Sequence, residues 1–156
     1  MRRAQNQIHT YLFRRPDVLR AARAQLAAPA GRKLRLLSFG CSTGEEIVTL
    51  RWFFPDAEIF GCDTEPDILK IAQGAVGHLA AIFKSDRDAI EARGPFDLIN
   101  CSAVLCLNPP TDIAARFPSA RFDEIVALLD GVLRPGGLIA ITNASYRFAA
   151  SPPATS

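Results

Sequence analysis

No apolar stretch of this chain approaches the roughly 20 residues that a membrane helix needs. The longest runs, such as 103–107, and shorter ones such as 138–141, are strand-sized. No apolar secretory segment follows the start, so the sequence reads as an internal, cytoplasmic protein. The four cysteines (Cys41, Cys62, Cys101, Cys106) form no C-x-x-C pair and have no histidine at ligand spacing. A structural metal is therefore not expected, and reduced thiols are the simpler reading. Acids are nearly absent from the first 35 residues, where nine bases face Asp17 alone for a net charge of +8; residues 36–156 carry −6. The basic arm is expected to fold against its own acidic body or to meet an acidic partner. A transit peptide over 1–15 is a weaker reading of the same composition. Aromatics are scarce in that arm, and nucleic acid is disfavoured as a partner.

What is present is enough apolar side chain, 49% against 22% charged residues, to order a single domain of 156 residues. The organisation expected is a basic helical arm over 1–31, a core over 32–150 and a disordered tail over 151–156. Apolar runs at 34–39, 57–62, 80–84, 96–101 and 138–142 read as strands. Most are apolar on consecutive positions, as strands covered on both faces are. Helical segments are expected at 17–28, 45–54, 66–73 and 122–133, the last closed by Pro135, Gly136 and Gly137. This alternation predicts an α/β fold: a doubly wound, Rossmann-like parallel sheet of about five strands, order 3-2-1-4-5, between two helical layers.

Such sheets bind ligands beyond the carboxyl ends of their strands, beside the first strand. There the sequence reads Ser38-Phe39-Gly40-Cys41-Ser42-Thr43-Gly44-Glu45-Glu46. Gly40 and Gly44 permit a sharp turn and close approach of a ligand to the main chain. The second strand ends in Cys62-Asp63-Thr64, where a carboxylate can take both hydroxyls of a ribose. A dinucleotide site needs G-x-G-x-x-G with its pyrophosphate on the helix start. Here Glu45 and Glu46 would repel that anion by about 4 kcal/mol per pair at 4 Å, for an effective dielectric of about 20. The same acids favour a cation, and S-adenosylmethionine carries a sulfonium and an ammonium group. Gly40 to Gly44 also matches the G-x-S-x-G nucleophile elbow, but His78, the sole histidine after Ser42, falls where no hydrolase histidine is expected.

The run Gly40-Cys41-Ser42-Thr43-Gly44-Glu45-Glu46 with Ser38 before it resembles the first motif of the chemotaxis-receptor (CheR-type) methyltransferases, Ser-Ala-Gly-Cys-Ser-Thr-Gly-Glu-Glu. Thr10-Tyr11-Leu12-Phe13-Arg14 resembles that family's Asn-x-Thr-x-Phe-Phe-Arg segment. Phe96 to Cys101 with Val104-Leu105 resembles its fourth strand, and Leu133-Arg134-Pro135-Gly136-Gly137 its turn into the fifth. The resemblance covers roughly 8–142 and implies a class I methyltransferase with S-adenosylmethionine as cofactor. It implies that Thr10 and Arg14 reach over the cofactor, with Arg14 also the catalytic candidate. Gly40, Cys41, Ser42, Thr43, Gly44 and Glu45 would hold its methionyl end, Asp63 and Thr64 its ribose, Asp86 its adenine side, and Cys101 and Ser102 the floor.

The departures are at Ile8, Ser102-Ala103, Leu107 and Ser145, where the family has Asn, Arg-Asn, Tyr and an acid. Neither the family's helical amino-terminal domain nor its receptor-docking subdomain has room here. The methyl acceptor is therefore open between a protein carboxylate and a small molecule. A carboxylate, with a reference pKa near 4.3, needs no base to become a nucleophile. Asn108-Pro109-Pro110-Thr111 is similar to the Asn-Pro-Pro-aromatic signature of N-methyltransferases, yet starts about seven residues beyond the fourth strand and lacks the aromatic. The usual antiparallel strands after the fifth are expected to be missing, leaving an edge for the tail or a homodimer to cover. A non-catalytic cofactor-binding or protein-interaction module is the competing reading.

Overall fold

The computed structural model describes residues 10–26, 30–107, 110 and 112–147. The first nine residues of the expected arm, the tail over 151–156, Ile8, and Asn108, Pro109 and Thr111 of the proline motif lie outside the described residues. Five parallel strands form one sheet: β1 (Arg35–Phe39), β2 (Glu58–Asp63), β3 (Ala81–Lys84), β4 (Phe96–Ser102) and β5 (Leu133–Thr142). Their order, β3-β2-β1-β4-β5, is the expected one. It reverses direction at β1, which opens a crevice between the carboxyl ends of β1 and β4.

Helices α1 (Pro16–Gln25), α2 (Glu45–Phe53) and α3 (Pro66–Val76) cover one face of the sheet. Helices α4 (Arg87–Glu91), α5 (Ile113–Arg116) and α6 (Ser119–Gly131) lie on the other side. Leu19 and Ala22 of α1 are buried with Leu36, Ile47, Leu50 and Leu98, so α1 belongs to the core packing. Phe39, Phe96 and Phe122 fill the second layer. Each side chain of this size, fully buried, stabilises the fold by about 1.5–3 kcal/mol. Burial on both faces explains the consecutive apolar residues of β1 and β4. Among the described residues no helix is long and apolar enough to cross a membrane.

One boundary differs from the sequence expectation. The helix read over 122–133 ends at Gly131, and Leu133 already pairs with Phe96 in the sheet. Pro135, Gly136 and Gly137 lie within β5 as an irregularity of register, after which Leu138 resumes pairing with Leu98. Gly136 takes φ 78°, a left-handed conformation open to glycine. The apolar periodicity therefore ran on from helix into strand, and the turn signal marked a bulge rather than a helix end.

Two bases of the basic segment are spent inside the molecule. Arg32 donates twice to the Asp97 carboxylate of β4, at 2.7 Å each, and Arg35 pairs with Glu58.

Candidate functional site

The loop after β1 is held by its neighbours on both sides. The N–H groups of Gly40 and Cys41 donate to the Cys62 carbonyl (2.8 and 2.9 Å), which fastens the loop to β2. Gly40, Ser42 and Gly44 all have positive φ, at 79°, 50° and 109°. The glycines make the sharp turn expected of them, and the closest approach to both is by the protein's own side chains. A Cβ on Gly40 would lie 2.4 Å from Val104 Cγ2, and one on Gly44 2.6 Å from Val76 Cγ2. The room over both is filled by the protein's own valines, which lock the loop to the β4 end and to α3.

Two carboxylates flank the loop. On the β2 side, the buried Asp63 accepts the N–H groups of Ser42 (3.1 Å), Thr64 (2.7 Å) and Glu65 (3.3 Å). Its Oδ2 carries one of these bonds and Oδ1 two, so Oδ2 keeps capacity for a further donor. On the β4 side, Glu46 accepts a hydrogen bond from Ser38 Oγ at 2.6 Å and one from Asn100. Burial pushes its carboxyl up to about 7; the hydrogen bonds from Ser38 and Asn100 and the nearby Arg14 charge only partly offset this. The Cys41 thiol is driven upward by burial first, and Cys62, Asp63 and Glu46 add to the rise. Ser42 Oγ is buried with no hydrogen-bond partner in this loop. An orphaned hydroxyl between two acids fits a ligand that brings its own polar atoms.

Of the two glutamates read as a pair, only Glu46 is set against the strand ends. Glu45 accepts a hydrogen bond from Thr43 Oγ1 at 2.7 Å, so Thr43 serves to hold Glu45. Above α2, half-buried Thr10 begins a strap over 10–15. Phe13 N–H donates to Thr49 Oγ1 (3.0 Å), and the Phe13 ring meets Trp52 edge-on at 5.9 Å. Arg14 stacks over Tyr11, 5.2 Å from the ring centroid, and its charge reaches both Glu46 and Cys106. The strap is thus fastened to α2.

The remaining expected residues divide. Ser102 is half-buried at the end of β4, its hydroxyl 2.9 Å from Thr142 Oγ1. Thr64 contributes its N–H to Asp63. Asp86 stands at the start of α4, 3.5 Å from Lys84 Nζ, without capping the helix through its side chain. The side chains of Cys41 and Cys101 are buried in the cores on opposite faces of the sheet, so neither thiol faces the crevice. Burial also raises the Cys101 thiol well above its ordinary range. Asn100 and Thr49 carry the geometry without having been singled out, and Ser38 was quoted only as the residue before the motif. The signal was there: Ser38 and Asn100 are polar residues inside apolar strand runs, which demands a buried partner.

No protein-family model matches the chain. It is similar to the trans-aconitate 2-methyltransferase of Methylobacterium radiotolerans, 34% identical over 128 residues, which are 81% of this chain and 43% of that protein. A second similarity, 35% over 78 residues, is to the carboxy-S-adenosyl-L-methionine synthase of Campylobacter hominis, covering 49% of this chain and 29% of that one. The chain spans about two fifths of the length of the first of these and less of the second. Among solved structures, an S-adenosylmethionine-bound amino pentose methyltransferase from Micromonospora echinaspora superposes with a TM-score of 0.61 at 24% identity, over 82% of this chain and 48% of that one. A sugar N-methyltransferase from Streptoalloteichus gives 0.62 at 22% identity, over 82% and 46%. With its 3-2-1-4-5 parallel sheet, this chain has the fold of the class I methyltransferases.

Proposed function

We propose that this chain is an S-adenosylmethionine-dependent methyltransferase unit acting on a small carboxylic acid. The observation that carries the reading is the crevice at β1 and β4. There a half-buried, incompletely neutralised Glu46 and a buried Asp63 flank a loop with an orphaned Ser42 hydroxyl.

When bound, S-adenosylmethionine supplies an electrophilic methyl group on a cationic sulfur. Asp63 has the free lone pairs to receive ribose hydroxyls, with charged hydrogen bonds of about 1.5–3 kcal/mol each. Ser42 Oγ and the loop N–H groups not already bonded are donors for the methionyl end. Glu46 favours a cation beside the strand ends, and Arg14 closes the same region from the strap. An acceptor carboxylate is an anion at neutral pH, so the protein need only align it, and alignment can supply about 7–11 kcal/mol. Three of the curated relatives bear the name trans-aconitate 2-methyltransferase, which supports a small acid over a receptor glutamate as acceptor. The four free cysteines support a reducing, cytoplasmic setting.

Calorimetry with S-adenosylmethionine and with S-adenosylhomocysteine tests the binding, and methyl transfer to trans-aconitate and other small acids tests the reaction. Binding of both nucleosides with turnover of an acid is the expected result. Binding without any turnover would identify a cofactor-binding module, and no binding would overturn the reading.

A further inference from the structure

Beyond β5 the chain turns back across the carboxyl end of β4. Ala103 N–H donates to the Thr142 carbonyl (2.9 Å), the first stitch between the two segments. Ser145 then makes a two-point clamp. Its N–H donates to the Leu105 carbonyl at 2.9 Å, and its Oγ accepts the Leu107 N–H at 3.0 Å. Next to it, Tyr146 OH donates to the Phe117 carbonyl (2.8 Å), and its ring packs on Phe117 and Phe122. The clamp is therefore anchored in the core around α6.

The clamped segment is under tension and touches the site. Ala103 has φ 55°, a left-handed conformation that disfavours a residue with a Cβ. It persists only because its surroundings over-determine it. Val104 fills the space over Gly40, so any movement here is felt in the loop after β1. Leu105 and Leu107 are buried, whereas Cys106 between them is half-buried and lies within the reach of the Arg14 charge. Leu107 N–H, in a buried residue, has no strand or helix partner and depends on the Ser145 hydroxyl.

We propose that Ser145 is a positioning residue: its hydroxyl holds the 103–107 segment in one register, so that this segment forms a preformed wall of the crevice opposite the Arg14 strap. An acceptor entering between wall and strap would meet a fixed surface, and a fixed surface is what alignment requires. The inference rests on the proposed methyltransferase reading for what passes along the wall; the clamp itself does not depend on it.

The thiol of Cys106 reports on the wall, since Cys41, Cys62 and Cys101 are buried. The full chain is treated with iodoacetamide at fixed pH, and modification of Cys106 is followed by mass spectrometry with and without saturating S-adenosylhomocysteine. In the wild type the nucleoside is expected to slow modification at least tenfold. Ser145→Ala should speed modification without ligand at least fivefold and lose most of the protection, while affinity for the nucleoside changes by less than threefold. Ser145→Thr, which keeps the hydroxyl, should restore both rates to within about twofold. A merely structural role would lower the urea midpoint without altering protection. An unchanged Cys106 rate in Ser145→Ala would overturn the clamp, and a bound nucleoside that leaves wild-type Cys106 unprotected would remove the segment from the crevice wall. Failure of the nucleoside to bind the wild type would strike the methyltransferase reading instead, and the rates without ligand would still decide the clamp.

Discussion

Two acids, the buried Asp97 and the half-buried Glu46, sit at opposite ends of the central strands, and their surroundings pull them in opposite directions. At the amino end of β4, burial alone would raise the Asp97 carboxyl. The two bonds from Arg32, the N–H of Arg35 (2.8 Å) and the more distant Arg134 outweigh it and hold Asp97 below its usual range. At the carboxyl end, burial dominates at Glu46, and two neutral donors with a nearby arginine leave it at about 7. The amino end completes its charge pairing to fasten the segment before β1 to β4 and β5. The carboxyl end leaves its acid short of positive charge, a local deficit that stability does not require and a cationic ligand would relieve.

The sharpest way to break this contrast is to remove the completed pairing. Asp97→Asn should lower stability by about 2–4 kcal/mol at neutral pH in urea unfolding, because charged hydrogen bonds to a buried group are lost. The folded-state value of Asp97 is depressed, so its contribution is present above about 3.8 and fades as pH falls through the lower folded value. Wild type and variant should therefore converge in acid, with nucleoside affinity unchanged in both. Gly40→Ala should cost about 2–3 kcal/mol, from left-handed strain and the overlap with Val104. Combining it with Val104→Ala should recover part of that loss, and strictly additive effects would show that the two loops are not coupled.

At the ligand end, Asp63→Ala should weaken nucleoside binding at least tenfold by calorimetry and also loosen the loop, since Ser42, Thr64 and Glu65 lose their acceptor. The smallest effect on stability is expected from Glu46→Gln. A raised folded-state value means that wild-type stability falls as pH rises from about 4.5 to about 7. The glutamine variant should lack that decline and be the more stable form at pH 8, by about 1 kcal/mol. Thermal unfolding across pH 5–8 checks it.

How far the sequence speaks for itself differs between these ends. Strand positions and order were legible because strands covered on both faces are apolar at consecutive positions, and β1, β2 and β4 are such strands. The end of α6 was not, since Val132 and Leu133 continue the helical stripe while the backbone has already entered β5. Within the site, the glycine turn and Asp63 were legible from their place after β1 and β2. The division of labour between Glu45 and Glu46 was not, because it depends on which glutamate meets Ser38 and Asn100 across the fold. Cys101 illustrates the same limit: its side chain is buried in the core, while its neighbour Ser102 is half-buried against Thr142 at the strand end. Ser145 was visible only as a departure from a family pattern, since its hydrogen bonds span 38 and 40 residues of chain.

The central claim is that Glu46 is an acid kept short of positive charge until a cationic nucleoside arrives. Titration calorimetry of S-adenosylmethionine from pH 5.5 to 8, on the wild type and Glu46→Gln, tests it most directly. Wild-type affinity should climb about tenfold with a midpoint near pH 7, as Glu46 ionises, while the variant stays flat and weaker at pH 8. Superimposable profiles for the two proteins would contradict it.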